Sequence, residues 1–238
     1  MNAIHGSDGT VTALTDYITD WLSNLIAPDQ VFEIRGLGQY KFSGFFDFAH
    51  IETAAREAIR ISQAKGRDQQ YSCHGVYWTL NPLDPSILAR RANRVAYVGK
   101  DFQLARDSDV IRRRWILIDC DPVRTAGVSS ARDELEASFD MICNVREHLG
   151  SSLGSDPIFA ESGNGFHLLY RVDMPNDDAA TKCIKDLLRY LAAKFDTDRA
   201  KIDRSVFNAS RICKFYGTTS RKGDSTGERP HRRAGVSE

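Results

Sequence analysis

The sequence lacks any long apolar run, and this absence argues against one class of protein. No stretch of the 238 residues approaches the ~20 consecutive apolar residues that a membrane-spanning helix needs. The N-terminal segment MNAIHGSDGT also lacks the basic and then apolar pattern of a signal peptide. We therefore expect no membrane partner and a cytoplasmic location.

Paired cysteine motifs are missing as well. The five cysteines are odd in number and scattered, and no two of them have the CxxC spacing of a zinc ribbon. Cys73 and His74 form the only adjacent pair of ligand-type side chains, and no matching second pair is evident. This pattern favours reduced thiols in a cytosolic protein, and it gives little support for structural zinc.

The chain has no excess charge of either sign, because 32 basic side chains balance 32 acidic ones. The distribution is uneven, and residues 199–238 carry ten Lys and Arg against four Asp and Glu. Three consecutive arginines, Arg112 to Arg114, also precede an acidic strand. Basic patches beside carboxylates favour a phosphate-rich ligand, and the alternative is that they are only solvated faces.

Two aspartates end the most apolar strand-like segment of the chain. The four apolar residues 115–118 predict a strand that is buried on both faces, and Pro122 ends it. Side chains alternate along a strand, so Asp119 and Asp121 point to the same face. Two like charges this close cost free energy unless a cation lies between them. The pair predicts a hard divalent cation, Mg²⁺ or Mn²⁺, and the alternative is a strand end with two solvated carboxylates.

A glycine-rich turn lies between two strand-like runs, at residues 158–161 and 166–172. The turn, Ser162-Gly163-Asn164-Gly165, is typical of a tight hairpin, and this alone accounts for its composition. The functional interpretation is that backbone N–H groups, the Ser162 hydroxyl and the His167 imidazole converge on a phosphate. The residues leave both interpretations open.

A third segment, residues 201–218, combines one carboxylate with basic side chains. Asp203 is a candidate third metal ligand. Arg211 and Lys214 are three positions apart, and on a turn or short helix they could share a face toward one anion. The apolar residues Ile212 and Phe215 also allow an interpretation in which the segment packs in the core and its charges are solvated.

Apolar spacing predicts most of the remaining elements. The second half reads strand, helix, hairpin, helix and strand, which predicts an RRM-like α+β sheet preceded by a smaller α/β unit. We expect one domain over 1–238, with an N-terminal unit at 1–110, an RRM-like catalytic unit at 111–225, and a polar tail at 226–238 that leads to further domains in a longer natural chain. Predicted helices cover residues 11–26, 50–64, 129–149 and 177–195, with a shorter one near 87–93; predicted early strands cover 31–35, 40–48 and 75–80.

Taken in order, the three segments resemble the catalytic core of the archaeo-eukaryotic primase superfamily. The primase-polymerases of phages, plasmids and other mobile elements look closest, and CRISPR-associated members belong to the same comparison. Asp119 and Asp121 match the first motif, D-x-D/E, and Ile202-Asp203 matches the third, an apolar residue before D/E. Residues 162–167 match the second motif, s-x-H, with an inserted GNG, and residues 210–224 resemble the basic strand and loop that follow the third motif.

This resemblance implies a DNA primase/polymerase, a nucleotidyltransferase that uses two Mg²⁺ or Mn²⁺ ions. The implied partners are a single-stranded DNA template, a primer/template duplex, nucleoside triphosphates and a helicase domain or protein. Asp119, Asp121 and Asp203 would hold the metals and carry catalysis. The implied nucleotide-binding residues are Ser162, Asn164, Gly165, His167, Arg211 and Lys214, and the implied nucleic-acid-binding residues are Arg112, Arg113, Arg221 and Lys222.

Two other classes of function compete with this one. Asp-x-Asp also occurs in nucleotide-sugar transferases, where the pair holds a metal on a diphosphate, but this leaves the basic third segment unexplained. A non-catalytic single-strand-binding module could use aromatic residues such as Tyr77, Trp78 and Phe166 on an RRM-like sheet. That class leaves three carboxylates beside a nucleic-acid surface, where they would repel phosphate in the absence of metal. A plasmid-type initiator nuclease is disfavoured, since no HxH pair with a following Tyr is visible.

Overall fold

The computed structural model describes residues 8–66, 69–150 and 152–237 as a mixed α+β fold with antiparallel sheets. The α+β class expected from the sequence is confirmed, and the RRM-like description of the second sheet stays a prediction. No helix in the described ranges is long and apolar enough to cross a membrane. The helices are α1 (Asp8–Leu25), α2 (Ile51–Gln63), α3 (Arg132–Leu149) and α4 (Asp178–Phe195). The strands are β1 (Val31–Leu37), β2 (Phe42–Asp47), β3 (Gly75–Thr79), β4 (Ala96–Tyr97), β5 (Arg113–Pro122), β6 (Ile158–Glu161), β7 (Phe166–Met174), β8 (Ala200–Ile202), β9 (Ile212–Lys214), β10 (Thr219–Ser220), β11 (Arg232–Arg233) and β12 (Gly235–Val236).

The first sheet has the strand order β4-β2-β1-β3-β9, and each strand pairs antiparallel with its neighbours. Its apolar side chains, Phe32, Ile34 and Trp78 among them, are fully buried in the main core, which also takes in α1 and α2. The segment after β3 adds a smaller core against Phe45. The helix predicted near 87–93 is a 3₁₀ helix at Pro85–Arg90, because Pro85 starts it and the Asp84 side chain caps Ser86 N at 2.8 Å.

The second sheet has the order β12-β6-β7-β5-β8 and carries α3 and α4. Its strand β5 has neighbours on both sides and buries all four residues 115–118, as the apolar run predicted. The predicted hairpin is β6–β7, with Ala160 opposite His167. Its turn therefore lies at the same end of the sheet as the two aspartates.

Helix α1 packs between the two sheets and joins their cores. The ring of Trp21 lies 6.0 Å from Trp78 in the first sheet and 5.4 Å from Tyr216, which follows β9. The indole N–H of Trp115 in β5 donates to Leu25 O at 3.2 Å. These contacts connect α1 to both sheets.

Two segments near the C-terminal end of the chain pair with strands that precede them by many residues. Strand β9 lies in the predicted catalytic unit but pairs with β3 in the first sheet, where Lys214 is opposite Tyr77. The predicted polar tail contributes β11, which pairs with β10, and β12, which pairs with β6. The division into units stays a prediction, and the pairing of β9 with β3 brings Lys214 to the same cavity as Asp119 and Asp121.

Candidate active site

The three predicted carboxylates lie at one end of the second sheet. Asp119 and Asp121 are two positions apart on β5, so they point to the same face. Asp203 follows β8, and its backbone N–H donates to Asp119 O at 2.8 Å. The Asp203 carboxylate accepts from Ser205 N at 2.8 Å and lies 3.9 Å from Arg211 Nη2. Across the described ranges, no three His, Cys, Asp or Glu side chains are close enough to form a metal cluster.

The Asp119 and Asp121 pair has the chemistry of a divalent-cation site. Asp119 Oδ1 is buried, and its 3.4 Å contact with His167 Nε2 lacks hydrogen-bond geometry, so it accepts no hydrogen bond from the described residues. Burial and the Asp119 charge raise the pKa of Asp121 to about 6. A cation would satisfy the orphaned oxygen and relieve this repulsion. Mg²⁺ and Mn²⁺ accept one or two protein carboxylates and complete their coordination with water and phosphate oxygens, so the pair fits them.

His167 is the cross-strand neighbour of Asp119 and links it to β9. Its Nε2 lies 3.4 Å from Asp119 Oδ1, while its Nδ1 lies 2.9 Å from Tyr216 Oη and 3.5 Å from Cys213 Sγ. Burial lowers the pKa of His167, but the Asp119 carboxylate outweighs it, and the net shift is well upward. Burial by itself would raise the pKa of Asp119. The interaction with His167 outweighs burial, and the net shift of the Asp119 pKa is downward. The two groups therefore form a buried charged pair, and the imidazole holds the carboxylate in place.

Lys214 faces the acid pair across a cavity of about 100 Å³. Its side chain is buried, with Nζ donating to Thr219 O at 3.3 Å and lying 5.4 Å from the centre of the Tyr77 ring. No carboxylate of the described chain lies within ion-pair distance of Nζ. Burial, together with the Arg221 charge, lowers the pKa of Lys214 to about 7. A buried cation without a counterion, facing a cavity, is suited to receive an anion.

The hairpin residues predicted to contact nucleotide also hold the site together. Asn164 is buried, accepts from Ser130 N and donates to Ser220 Oγ, both at 2.9 Å. Gly165 packs so closely on β5 that an added Cβ would lie 2.4 Å from Cys120 O. Ser162 Oγ donates to Gly165 O at 3.1 Å, and Ser162 and Asn164 both line the cavity. Nucleotide contact by these residues stays a prediction.

The predicted basic residues separate into two groups. Arg112 and Arg113 are at the far end of β5, roughly 20 Å along the strand from Asp119. Arg112 pairs with Asp173, and Arg113 is only 2% exposed, with bonds to Phe207 O and Thr181 Oγ1. The structure therefore does not bring these two to the cavity. Arg113 instead turns inward, toward Phe207 and Thr181.

Arg211 and Lys214 do not share one face of a turn or short helix, and that expectation is wrong. Residues 212–214 form strand β9, which pairs with β3. An odd separation in extended backbone sends two side chains to opposite faces. Arg211 donates to Ser205 Oγ at 2.6 Å and lies beside Asp203, whereas Lys214 lines the cavity.

A basic groove of about 720 Å³ continues from the cavity. Tyr77, Asp121 and Lys222 line both, and Arg221 and Arg124 line the groove beyond them. Arg124, which sequence reasoning missed, lies with Nη1 3.8 Å from Asp121 Oδ1. Its position three residues after Asp121, just past a strand end, was the available clue. Cys213 and Tyr216 were also missed, because an apolar-looking segment gives no sign that it touches His167.

Comparisons with known proteins leave the family open. No protein-family profile and no curated protein matches the chain. Among solved structures the chain is similar to one described as the crystal structure of primase RepB', at 13% identity and a TM-score of 0.49. The alignment covers 94% of this chain and 56% of that one, so this chain spans little more than half of that primase. A similarity at this level assigns neither family nor activity.

Proposed function

We propose that the protein is a metal-dependent nucleotidyltransferase, a DNA primase/polymerase that joins nucleotides on a single-stranded DNA template. One observation carries the proposal: the Asp119 and Asp121 pair faces the unpaired, buried Lys214 across a cavity that opens into a basic groove. Nucleotidyl transfer needs groups of opposite charge placed in this way: carboxylates that bind metal and a cation that binds phosphate.

Each group has a distinct part in the proposed reaction. Asp119 and Asp121 would hold the divalent cations, which supply the charge that activates a 3′-hydroxyl and stabilises the leaving pyrophosphate. His167 keeps the Asp119 carboxylate charged and oriented through its 3.4 Å contact. Lys214 receives the triphosphate. Asp203, whose carboxylate accepts from Ser205 N and lies 3.9 Å from Arg211 Nη2, would be the third ligand.

In this proposal the groove binds the polymeric substrate, a single nucleic-acid strand. Lys222 and Arg221 attract the phosphates of a single strand, and the Tyr77 ring at the entrance to the cavity offers a face on which a base can stack. The primer/template duplex and a helicase partner belong to the same proposal, on the strength of the sequence motifs alone.

The test is a primer-free assay with single-stranded template, labelled nucleoside triphosphates and Mg²⁺ or Mn²⁺. We expect metal-dependent oligomers from the wild type and a loss of at least about 1000-fold in the Asp119→Asn/Asp121→Asn double variant, because metal binding is lost while the side-chain size is kept. The exposed pair Asp101→Asn/Asp198→Asn removes the same charge and should synthesise normally.

A second arm separates initiation from extension. Products that form only when an annealed primer is supplied would mean a polymerase without initiation. Full activity in the Asp119→Asn/Asp121→Asn variant, with circular dichroism showing a folded chain, would contradict the assignment. No synthesis in either arm, with single-strand binding that EDTA leaves unchanged, would favour the binding module, and turnover of a nucleotide sugar would favour the transferase.

A further inference from the structure

A second polar pocket, of about 350 Å³, shares Arg221 with the basic groove. We call it the Arg233 pocket. Three cationic side chains line it, those of Lys65, Arg221 and Arg233, and the described residues around it include no carboxylate. The hydroxyl residues Ser62, Thr218 and Thr219 are also in its lining. This mixture of cations and hydroxyl groups is typical of a site for an oxyanion.

The three cations have no acidic partner in the described parts of the chain. Arg221 is buried, and its guanidinium lies 3.7 Å from the centre of the Tyr71 ring while Nη1 donates to Ser62 O at 2.9 Å. Lys65 Nζ lies 5.2 Å from the same ring. Holding three like charges around one pocket costs free energy, and a bound anion would recover it.

Strand pairing places the third cation at this pocket. Arg233 on β11 is the register partner of Thr219 on β10, and directly opposed residues project from the same face of a sheet. Lys65 and Arg233 are both exposed, so they are free to adjust to an incoming ligand. Arg221, fixed by Tyr71 and Ser62, is the rigid part of the site.

The Arg233 pocket adjoins the basic groove. Arg221, His74 and Gly223 line both the groove and a neighbouring cleft, and Arg221 and Tyr71 connect that cleft to the Arg233 pocket. The groove, the cleft and the Arg233 pocket therefore lie side by side along Lys222, Arg221 and Arg233, with the Asp224 carboxylate in the lining of the cleft. Single-stranded nucleic acid is an anion with phosphates at regular intervals along its backbone.

We propose that the Arg233 pocket binds a phosphate group of a nucleic-acid strand that lies in the basic groove. The inference rests on the proposed function for the identity of the strand, but phosphate binding in the pocket requires no catalysis. It adds a binding site, remote from the acid pair, that anchors the strand while its other end is in the cavity.

The experiment measures fluorescence anisotropy of a labelled oligothymidylate in EDTA, so that no metal bound at Asp119 contributes. The Lys65→Gln/Arg233→Gln double variant should bind about tenfold more weakly than the wild type, since charge-assisted bonds to phosphate are lost. Its affinity should also depend less steeply on salt, because fewer counterions are released. The Lys100→Gln/Arg106→Gln variant removes two exposed cations that line neither the groove nor the pocket, and it should bind as the wild type does.

Two further arms identify the source of the phosphate. Inorganic phosphate should compete with the oligonucleotide in the wild type and compete less in the double variant. A preference for a 5′-phosphorylated over a 5′-hydroxyl strand, present only in the wild type, would assign a terminal phosphate, and equal binding would assign an internal one. Unchanged affinity and salt dependence in the double variant would overturn the proposal, as would an equal loss in the Lys100→Gln/Arg106→Gln variant. The binding assay is run without metal and does not depend on synthesis. The outcome of the Asp119→Asn/Asp121→Asn synthesis assay therefore does not change its result, and each proposal can fail while the other holds.

Discussion

At the scale of single residues, the burial of Lys214 lowers the stability of the protein and leaves a basic group that can interact with an anion. Its ammonium group is buried, no carboxylate in the described ranges lies beside it, and Arg221 adds a like charge nearby. Burial of a charge in this way costs free energy in the empty protein. The same lack of a partner leaves the lysine available to an anion, and an anion bound in the cavity would offset this cost.

The free energy of unfolding should reveal this cost through its pH dependence. Lys214 has a pKa of about 7 in the folded protein, while the pKa of an unfolded lysine is about 10.4. Between these values the unfolded chain binds more protons, so the contribution of Lys214 to stability rises with pH across this window. We expect Lys214→Met to be more stable than the wild type at about pH 6, with the difference shrinking toward about pH 10.

Urea denaturation over this range measures the difference directly. Lys100→Met is the matched control, because Lys100 is exposed and its substitution should give a difference that does not change with pH. A difference for Lys214→Met that stays constant over the range would show that its charge carries no burial penalty.

At the scale of elements, the β6–β7 hairpin sets the position of the acid pair. Its turn packs on the backbone of β5 at Cys120, directly between Asp119 and Asp121. The Asn164 amide ties the turn to Ser130 before α3 and to Ser220 in β10. The turn therefore positions the strand that carries Asp119 and Asp121, and its contact with phosphate stays a prediction.

Gly165→Ala should therefore reduce activity more strongly than it reduces the free energy of unfolding. The new methyl group would meet Cys120 O at 2.4 Å and Asp121 Oδ1 at 2.8 Å, so the hairpin must move away from β5. We expect a loss of about 1–3 kcal/mol in the free energy of unfolding, typical of overpacking. Synthesis should fall by about 100-fold, because displacement of catalytic groups by about 1 Å has this effect.

Thermal denaturation and the primer-free assay measure the two effects. Gly99→Ala is the control, since an added Cβ there meets no atom within 4 Å. Normal activity in Gly165→Ala would mean that the hairpin does not position Asp121.

At the scale of the whole molecule, one hydrophobic core runs through both sheets. Trp21 of α1 contacts Trp78 and Phe215 in and beside the first sheet, and α1 also accepts the Trp115 indole N–H from the second. The buried residues of the two sheets belong to the same cluster. The acid pair and Lys214 come from different sheets, so their distance depends on this shared core.

Trp21→Ala should consequently weaken both sheets together. Truncation of a buried tryptophan leaves a cavity and costs about 3–5 kcal/mol. We expect one cooperative unfolding transition at a lower denaturant concentration, with amide hydrogen exchange accelerated in β1 and in β5 alike. Two transitions, or faster exchange in one sheet alone, would show that the sheets unfold separately.

The sequence by itself determined the elements that depend on near neighbours. The helices predicted at 50–64 and 177–195 agree closely with α2 and α4, because apolar side chains every three or four residues specify a buried helical stripe. The apolar run before Asp119 specified a buried strand, and alternation alone placed Asp119 and Asp121 on one face.

Only the tertiary structure decided which distant segments meet. Nothing local in residues 212–214 indicates that they pair with β3, and that pairing places Lys214 at the cavity while Arg211 stays beside Asp203. The contact of Tyr216 with His167 and the burial of Arg113 follow from the same long-range packing. Pattern and spacing report the preferences of a segment, whereas the strand neighbours of a segment depend on the free energy of the whole core.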